Sequence, residues 1–444
     1  MSATVPRPAG TRRPWRSLVV ALIAVGVVVA GLFPTTDGAY TATFAHPTNS
    51  VASASSYNRT TFPYRDSFAG GQAGWTTYNG CWATTTTFGY GKFIESCGGT
   101  DGPKAVTGNP EWTDYTMQGD VQVNEGNQAG LLVRVTSPAA GTDAMNAYYA
   151  AIDLSTNALF IGRMRNGSYS PSLARTTIPG DLRRGQFYHL VVQASGCTIM
   201  AWQTTVGAND WTRATYTDSS DTCLTAGAIG LRNQDSKAGY RFVTATQGAP
   251  KPSVTPSPYN STFATASFND GSAAATYGGS WTFDQQQETI LDTADQNVGD
   301  KQVLNRSWGD MTLTGDVRLM REPTAATDAG FITRVNDAGA GTDAFRGFSA
   351  GISGTSLVVG QHDAGRWVPG ASTALPRPAR LGEWWHVTVA VVGCVVTATA
   401  SPSAGGTVVQ ASADFGSCST TSGAVGVREH AVEAQWRNLA VTPR

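Results

Sequence analysis

The sequence contains few charged residues, and this scarcity limits the partners that the protein can have. Only 14% of its 444 residues are Asp, Glu, Lys or Arg, and the formal net charge is −1. Neither half carries a basic or acidic block, so nothing beyond the extreme N-terminus favours nucleic acid or an anionic membrane surface. We predict no nucleic-acid partner, and membrane contact only through the N-terminal segment.

Catalytic sequence motifs are also missing. The chain has eight glutamates, and none lies in the E-x-D-x-x-E strand pattern that would direct two acids into one glycosidase cleft. The sequence contains no G-x-S-x-G, no H-E-x-x-H and no phosphate-binding loop. We therefore predict that the protein is not an enzyme.

Helical periodicity is absent after residue 35. No stretch of that part of the sequence shows a convincing 3.6-residue apolar repeat. Short alternating runs stand between turn residues instead, and the sequence holds 50 Gly and 21 Pro. This pattern is typical of all-β proteins. Met311–Leu319 alternates apolar and polar residues, as a strand with one buried face does. Asn166-Gly167, between two such runs, predicts a β-hairpin, and residues 363–365 predict the same turn later in the chain.

The N-terminus carries a targeting element. An arginine-containing stretch, Arg12–Arg16, precedes the apolar run Leu18–Phe33, which Pro34 ends. We assign residues 1–45 to an export signal or, alternatively, to an uncleaved membrane anchor. In either case we predict that the rest of the chain is secreted or lies at the cell surface. The stretch GAYTATFAHPTNSVAS that follows the apolar run is similar to the signals of bacterial biofilm-fibre proteins processed by a SipW-type signal peptidase.

Much of the sequence occurs twice. AGLLVRVTSPAAGTDAMNAYYAAI at residues 129–152 corresponds to AGFITRVNDAGAGTDAFRGFSAGI at residues 329–352. GQFYHLVV likewise matches GEWWHVTV, and GAIGLR matches GAVGVR, in the same order. A period near 200 residues is too long for a solenoid unit and indicates two copies of a whole domain. We predict a first domain at residues 60–247, a Pro-rich linker at 248–258 and a second domain at 259–444.

The six cysteines follow the same duplication. One pair recurs at corresponding places in both copies, and one further pair occurs only in the first copy. An even count with a duplicated pair, and no C-x-x-C or Cys/His cluster, favours disulfides in an oxidising compartment over a metal site. The predicted disulfides are Cys81–Cys97, Cys197–Cys223 and Cys394–Cys418.

The order of these motifs resembles the concanavalin A-like, laminin-G-like jelly rolls, and especially the carbohydrate-binding modules of fructan-degrading enzymes, which bind terminal fructose units. The resemblance spans nearly all of each copy. It implies an all-β protein of two tandem antiparallel β-sandwich domains, with a polysaccharide or another glycan as partner. The second copy fits better through Thr342–Gly347, because Met145–Ala147 replaces its Phe-Arg-Gly in the first copy. The sugar site of the first copy is therefore expected to differ or to be degenerate.

The repeated Gly-Thr-Asp-Ala loop supplies the first candidate ligand-binding residues. Asp143 and Asp343 are either turn aspartates that bond their own backbone or acceptors for sugar hydroxyls. Asp343 and Arg346 together would grip two vicinal hydroxyls, and Arg334 would add a second donor. The corresponding candidates in the first copy are Asn146 and Arg134.

Aromatic residues are the second requirement for sugar binding, since the apolar face of a sugar ring stacks on them. Trp367 and Tyr169 follow equivalent hairpin turns and are candidate platforms, with hairpin packing as their alternative role. Tyr148 and Tyr149 point to opposite faces of one strand, and we take Tyr149 as the ligand-side residue.

Calcium is the one candidate cofactor, because many related sandwiches carry a structural ion. Asp66, Asn269 and Asp270 are placed to act as ligands near the start of each copy, with an amide oxygen of Asn438 near the end.

These observations predict an exported, non-catalytic, lectin-like protein that binds carbohydrate at the cell surface or in the extracellular matrix. One alternative is a structural, adhesion or biofilm-matrix protein that contacts other cell-envelope proteins without binding sugar. The other is a glycoside hydrolase that lacks the usual motifs.

Overall fold

Every regular element in the described part of the chain is a β-strand. The computed structural model describes residues 62–87, 90–99, 101–206, 208, 210–248, 258–261, 274–279, 281–284, 289–292, 299–304, 306–322 and 327–444. The strands of the first copy are β1 (Tyr64–Asp66), β2 (Thr76–Tyr78), β3 (Trp82–Thr87), β4 (Tyr90–Glu95), β5 (Lys104–Thr107), β6 (Tyr115–Glu125), β7 (Gln128–Thr136), β8 (Asn146–Asp153), β9 (Ala158–Arg165), β10 (Ser168–Thr177), β11 (Phe187–Ser195), β12 (Thr198–Thr205), β13 (Thr212–Thr217), β14 (Ala228–Gln234) and β15 (Lys237–Gln247). Those of the second copy are β16 (Tyr259–Ser261), β17 (Ala274–Tyr277), β18 (Trp281–Asp284), β19 (Thr289–Asp292), β20 (Lys301–Leu304), β21 (Met311–Leu319), β22 (Asp328–Asn336), β23 (Arg346–Ile352), β24 (Ser356–Asp363), β25 (Trp367–Ala374), β26 (Trp385–Val392), β27 (Val395–Pro402), β28 (Val409–Asp414), β29 (Ala424–His430) and β30 (Ala434–Pro443).

Each copy forms two antiparallel sheets that pack face to face. Sheet 1a runs β13-β12-β11-β6-β15-β4-β3 with β1 also on β15, and sheet 1b runs β10-β9-β8-β7-β14-β5-β2. The second copy repeats both orders strand for strand: sheet 2a runs β28-β27-β26-β21-β30-β19-β18 with β16 on β30, and sheet 2b runs β25-β24-β23-β22-β29-β20-β17. The predicted all-β fold of tandem antiparallel jelly-roll sandwiches is confirmed.

A core lies between the two sheets of each sandwich. Alternation along β7 buries Leu131 and Val133 in the first core, and Phe331 of β22 occupies the corresponding place in the second core. Trp385 and Trp436 are fully buried in the second core.

All three predicted disulfides are present. Cα–Cα distances are 5.3 Å for Cys81–Cys97, 5.7 Å for Cys197–Cys223 and 5.3 Å for Cys394–Cys418. The predicted hairpin at Asn166-Gly167 joins β9 to β10, and both turn residues have positive φ, as a two-residue hairpin turn requires. The second copy turns at the equivalent place between β24 and β25.

β-bulges place Arg134 and Arg334 differently from the prediction. Both residues have positive φ (59° and 50°), and the strand register shifts beside each of them. Strict alternation, which would present these side chains to a ligand, is broken at such a bulge. Both side chains are buried instead, and Arg134 donates to Asp114 Oδ1 at 3.1 Å.

The two sandwiches contact one another and lie within one compact unit, Ser56–Arg444. Val191 and Trp202, on the outer face of sheet 1a, share an apolar cluster with residues of sheet 2b and its loops. Trp202 lies 6.2 Å from Tyr277, centroid to centroid, in an edge-on arrangement. Gln193 Nε2 donates to Tyr277 Oη at 2.7 Å, and Gln118 bonds both the amide of residue 278 and the carbonyl of residue 279.

Two predicted segments lie outside the described residues. These are the signal or anchor at residues 1–45 and, apart from Gly248 and Pro258, the Pro-rich linker at 248–258. Within the part of the chain that the structure describes, no helix has the length and hydropathy needed to span a bilayer.

Candidate functional site

The Gly-Thr-Asp-Ala loop of the second copy is held by a buried lysine on the outer face of sheet 2b. Lys301, at the start of β20, donates to the carbonyls of Gly339 at 3.0 Å and Gly341 at 2.8 Å. Burial lowers the pKa of Lys301 to about 7. The first copy repeats this anchor, since Lys104 Nζ donates to the carbonyl of Gly141 at 2.7 Å. The lysine therefore fixes the position of the aspartate in both loops.

Asp343 faces an arginine and a histidine. Its Oδ1 lies 3.6 Å from Nη2 of Arg428, which projects from β29, and 3.1 Å from Nδ1 of His362 on β24. His362 is fully buried, and its Nε2 lies 2.9 Å from Oγ of Ser349. Because partners from two strands contact Asp343, and Ser349 of a third strand contacts His362, the carboxylate is held in one orientation on the sheet.

Arg428 bridges Asp343 to a second carboxylate. Its Nη1 lies 3.1 Å from Oδ2 of Asp328, the first residue of β22, and its side chain is 4% exposed. His430 Nδ1 lies 3.7 Å from Oδ1 of the same aspartate. One buried guanidinium thus sits between two half-buried carboxylates, an arrangement that keeps polar atoms of both signs at a fixed spacing.

Trp367 lies across the sheet beside this charged group. A Cβ on Gly360 would come within 1.9 Å of the indole, so glycine is required for the ring to lie against the strand. The ring centroid of Trp367 is 4.8 Å from that of His362, which in turn stacks on Phe345 at 4.1 Å. The indole is therefore backed by a continuous aromatic layer.

Of these groups, the two aspartates, Arg428, His430 and Trp367 line a pocket of about 370 Å³ on the second sandwich. This volume lies within the range of small-ligand sites. Hydroxyl, carboxylate and guanidinium groups form most of the wall, and Val358 and Trp367 supply its apolar part. The lining residues are Thr327, Asp328, Thr342, Asp343, Ser353, Thr355, Ser356, Val358, Trp367, Ser372, Arg428 and His430.

The carboxylates of the pocket are held in their ionised form. Burial alone would raise the pKa of Asp328, but Arg428 and His430 outweigh it and lower this pKa to about 2. Burial likewise opposes ionisation of Asp343, while His362 and Arg428 lower its pKa. At neutral pH the pocket accordingly offers two hydrogen-bond acceptors with full negative charge.

Burial keeps His362 neutral and makes it a source of acid sensitivity. Its pKa falls from 6.5 to about 4, although Asp343 acts in the opposite direction. Below pH 6.5 the unfolded state therefore binds a proton that the folded state does not, and stability is lost as the pH falls towards 4. The maximum slope of the free energy of unfolding against pH is about 1.4 kcal/mol per pH unit.

The variant His362→Met, which carries the residue found in the first copy (Met164), tests this assignment. Denaturation measured between pH 6.5 and 4 should show a shallower decline of the free energy of unfolding in the variant than in the wild type. An unchanged slope would contradict this assignment.

Only two of the four second-copy candidates line the pocket. Asp343 and Trp367 do, whereas Arg346 is 46% exposed and lies 3.8 Å from the carboxylates of Asp337 and Asp363. The predicted pairing of Asp343 with Arg346 is replaced by its pairing with Arg428. Arg334 is buried at the bulge, where it donates to the carbonyl of Gly309 at 3.0 Å.

In the first copy the equivalent space is filled by side chains. Tyr149, where the second copy has Ser349, is fully buried and donates to the carbonyl of Arg232 at 3.0 Å. Phe160 replaces Val358 and is also buried. The expected difference between the two sites thus has a physical cause, namely larger side chains on the outer face of sheet 1b.

A polar pair closes the remaining space in the first copy. Arg175 Nη2 lies 3.2 Å from Oδ2 of Asp153, which also accepts from Gln128 Nε2 at 3.1 Å. The second copy has serines at the positions of this pair, Ser372 and Ser353. A space of only about 100 Å³ remains at this end of the first sandwich.

The other first-copy candidates have structural contacts. Asp143 Oδ1 lies 2.9 Å from Nη2 of Arg232, and Tyr169 packs over the same guanidinium at 5.2 Å. Asn146 Oδ1 accepts from the amide of Asn166 at 2.9 Å and so ties the strand to the β9–β10 turn. These contacts account for the three residues without a ligand.

Sequence reasoning missed Arg428, Asp328 and His362. A signal existed for the arginine, because GAIGLR and GAVGVR both end an apolar strand with it. His362 gave no signal, because the first copy has Met164 at its place. Asp328 gave none either, since its counterpart Gln128 is neutral.

The calcium ligands proposed from the sequence have other contacts where they are described. Asp66 accepts hydrogen bonds from the amide of Phe68 and from Trp75 Nε1, both at 2.7 Å. Asn438 Nδ2 donates to Asp316 at 2.9 Å. Asn269 and Asp270 lie outside the described residues.

Comparison with known proteins gives a family match to the first sandwich. Residues 64–246 match the model of the 3-keto-alpha-glucoside-1,2-lyase-like domain. Among curated proteins, the levanase of Bacillus subtilis (strain 168) is 27% identical over 180 residues, which is 40% of this chain and 23% of the levanase. The chain thus spans less than a quarter of that relative.

Solved structures with a similar fold include a carbohydrate-binding module and a lectin. The carbohydrate-binding module CBM66 from Bacillus subtilis matches at 23% identity with a TM-score of 0.31, covering 39% of this chain and 96% of the module. The winged bean acidic lectin complexed with methyl-alpha-D-galactose matches at 9% identity with a TM-score of 0.31, covering 42% of this chain and 97% of the lectin.

Proposed function

We propose that the second sandwich binds a carbohydrate in the pocket around Arg428 and that it does so without cleaving it. The observation that carries this proposal is one buried guanidinium held between two ionised carboxylates beside an indole. Neighbouring sugar hydroxyls donate to the carboxylates and accept from the arginine, and the apolar face of the ring stacks on Trp367. The similarity of part of the chain to a levanase makes a fructan the first polymer to test.

The charge state of the pocket supports binding over hydrolysis. A glycosidase needs one carboxylic acid that stays protonated near neutral pH in order to protonate the leaving group. Asp328 and Asp343 both have lowered pKa values, so each is held as an acceptor. Buried His362, with a pKa of about 4, is neutral at that pH and therefore cannot act as the acid either.

The two sandwiches have different roles in this proposal. The second holds the ligand, and the first supports it through their shared apolar cluster. We further propose that the N-terminal segment exports the protein, so that it meets glycans at the cell surface or in the matrix. The three disulfides are compatible with such an oxidising compartment.

Trp367→Ala is the variant that tests the proposal. We expect it to weaken binding by about thirtyfold, because a buried aromatic contact is worth about 2 kcal/mol. Isothermal titration of the purified protein against levan, inulin, xylan and cell-wall polysaccharide measures the effect. Tyr169→Ala changes the equivalent first-copy ring and should leave affinity unchanged.

Other results would favour other functions. Retention by none of these polymers, combined with self-association or attachment to the envelope, would support the structural or adhesion protein instead. Release of reducing sugar from the same polymers by the wild-type protein, lost in Asp328→Asn, would establish a hydrolase. Equal loss of binding in Trp367→Ala and Tyr169→Ala would contradict the assignment to the second sandwich.

A further inference from the structure

Three buried carboxylates meet where β19, β20 and β29 of the second sandwich come together. Asp292 ends β19, Asp300 precedes β20 and Glu429 lies on β29. None of the three is more than 1% exposed. One ligand oxygen from each lies within 4.8 Å of the others.

One acid of the cluster lacks a hydrogen-bond partner among the described residues. Glu429 accepts from the amides of Asp300 at 3.3 Å and Val432 at 2.9 Å. Neither carboxylate oxygen of Asp300, however, has a hydrogen-bond partner among the described residues, although the residue is 99% buried. A buried carboxylate without partners is strongly unfavourable, so Asp300 either takes up a proton or needs a positive group beside it.

Nearby protein cations act on the cluster. Arg65 of the first sandwich attracts Asp292, and Lys301 and Arg428 attract Asp300 and Glu429. The Lys301 ammonium, however, donates to the loop carbonyls, and the Arg428 guanidinium contacts the pocket aspartates. Burial and the mutual repulsion of the acids raise the pKa of Asp300 and of Glu429.

The first copy shows the same place in a fully satisfied form. Glu95 corresponds to Asp292, but Pro103 stands at the place of Asp300 and Asn233 at that of Glu429. The single carboxylate accepts from the amides of Cys81 at 3.1 Å and Cys97 at 2.8 Å, and from Asn233 Nδ2 at 2.9 Å. The first copy thus has one carboxylate with several hydrogen-bond donors where the second copy has three carboxylates.

The disulfide Cys81–Cys97 also belongs to this place in the first copy. It joins the residue before β3 to the turn after β4, and Glu95 bonds the amides of both cysteines. In the sequence of the second copy, Ser280 and Ala294 occupy the corresponding positions. The copy with the covalent link has one carboxylate, and the copy without it has three.

We propose that Asp292, Asp300 and Glu429 bind a calcium ion, which connects sheet 2a to sheet 2b as a structural cross-link where the first copy has its disulfide. Three carboxylates supply the hard oxygen ligands that calcium prefers. Calcium–oxygen distances of about 2.4 Å allow oxygens up to about 4.8 Å apart to share one ion, and the three ligand oxygens meet this limit. The ion also gives the buried Asp300 carboxylate a partner.

The test compares the wild-type full chain with Asp300→Asn, each stripped with a chelator and then titrated with calcium chloride. For the wild type we expect one ion per chain by calorimetry and a melting temperature that rises by several degrees. The substitution Asp300→Asn removes one of the three charged ligands. We therefore expect the variant to bind calcium at least about a hundredfold more weakly than the wild type. The stripped variant should melt no lower than the stripped wild type, because it has lost a repulsion.

Controls separate a specific site from a general charge effect. Asp337→Asn removes an exposed carboxylate of the same sandwich and should bind calcium as the wild type does. Magnesium, manganese and zinc chlorides in parallel titrations identify the preferred ion. The proposal is overturned if calcium shifts neither melting temperature nor heat in the wild type, or if the wild type and Asp300→Asn respond equally.

Discussion

The carbohydrate binding proposed for the second sandwich is expected to disappear when three pocket residues are exchanged for their first-copy counterparts. The variant combines Ser353→Asp, Val358→Phe and Ser372→Arg. We expect a loss of affinity of at least about a hundredfold, since the new side chains occupy the volume that a ligand needs. The folding stability should stay close to that of the wild type.

The first sandwich already shows that this set of side chains fits the fold. Phe160 is buried on the outer face of sheet 1b, and Arg175 pairs with Asp153 across the same space. Strands β8, β9 and β10 pair with one another as β23, β24 and β25 do. The exchange therefore places each side chain on the same strand pairing that it has in the first copy. Loss of binding would then reflect a filled pocket rather than a damaged sheet.

Isothermal titration with the best polymer from the panel, together with thermal denaturation, measures both quantities. Ser372→Ala is the matched control, because it changes the same position without filling the pocket and should retain binding. Full affinity in the triple variant would mean that sugar binds elsewhere on the molecule. If the triple variant loses binding and also melts at a much lower temperature, the single variant Val358→Phe replaces it in the test. This variant should still weaken binding.

Much of the fold could be predicted from the sequence because the duplication supplies an internal comparison. Corresponding motifs in the same order led to two sandwiches with one strand order, and paired cysteines led to the three disulfides. The loop aspartate was found in the same way, since Asp343 does line the pocket. Features that recur in both copies are the ones that a sequence reveals most directly.

The remaining site residues depend on departures from regular geometry. Strict alternation directs Arg334 towards a ligand, but the bulge with positive φ turns it into the interior. Arg346 is near Asp343 in sequence, yet the loop aspartate meets Arg428 from a strand 85 residues further along. Long-range pairing of this kind requires the sheet order, which local periodicity does not contain.

Trp202→Ala should destabilise the protein by about 3–5 kcal/mol, the usual cost of removing a buried tryptophan side chain. Trp202 is 4% exposed although it lies on the outer face of sheet 1a, because the second sandwich covers it. The sequence also indicates this interface. The outward positions of sheet 1a are apolar in the first copy, whereas the corresponding positions of the second copy are threonines. The residues are Val191, Met200 and Trp202 in the first copy and Thr388, Thr397 and Thr399 in the second.

Thr399→Ala is the matched control, since its position on the second sandwich is equivalent and partly exposed. It should change the free energy of unfolding by no more than about 0.5 kcal/mol. Urea denaturation gives both values, and calorimetry should resolve two separate transitions in Trp202→Ala because the sandwiches then stabilise one another less. A loss below about 1 kcal/mol, far under the usual cost for a buried tryptophan, would show that the sandwiches are independent. Sheet 2b would then have to hold its pocket without support from the first copy.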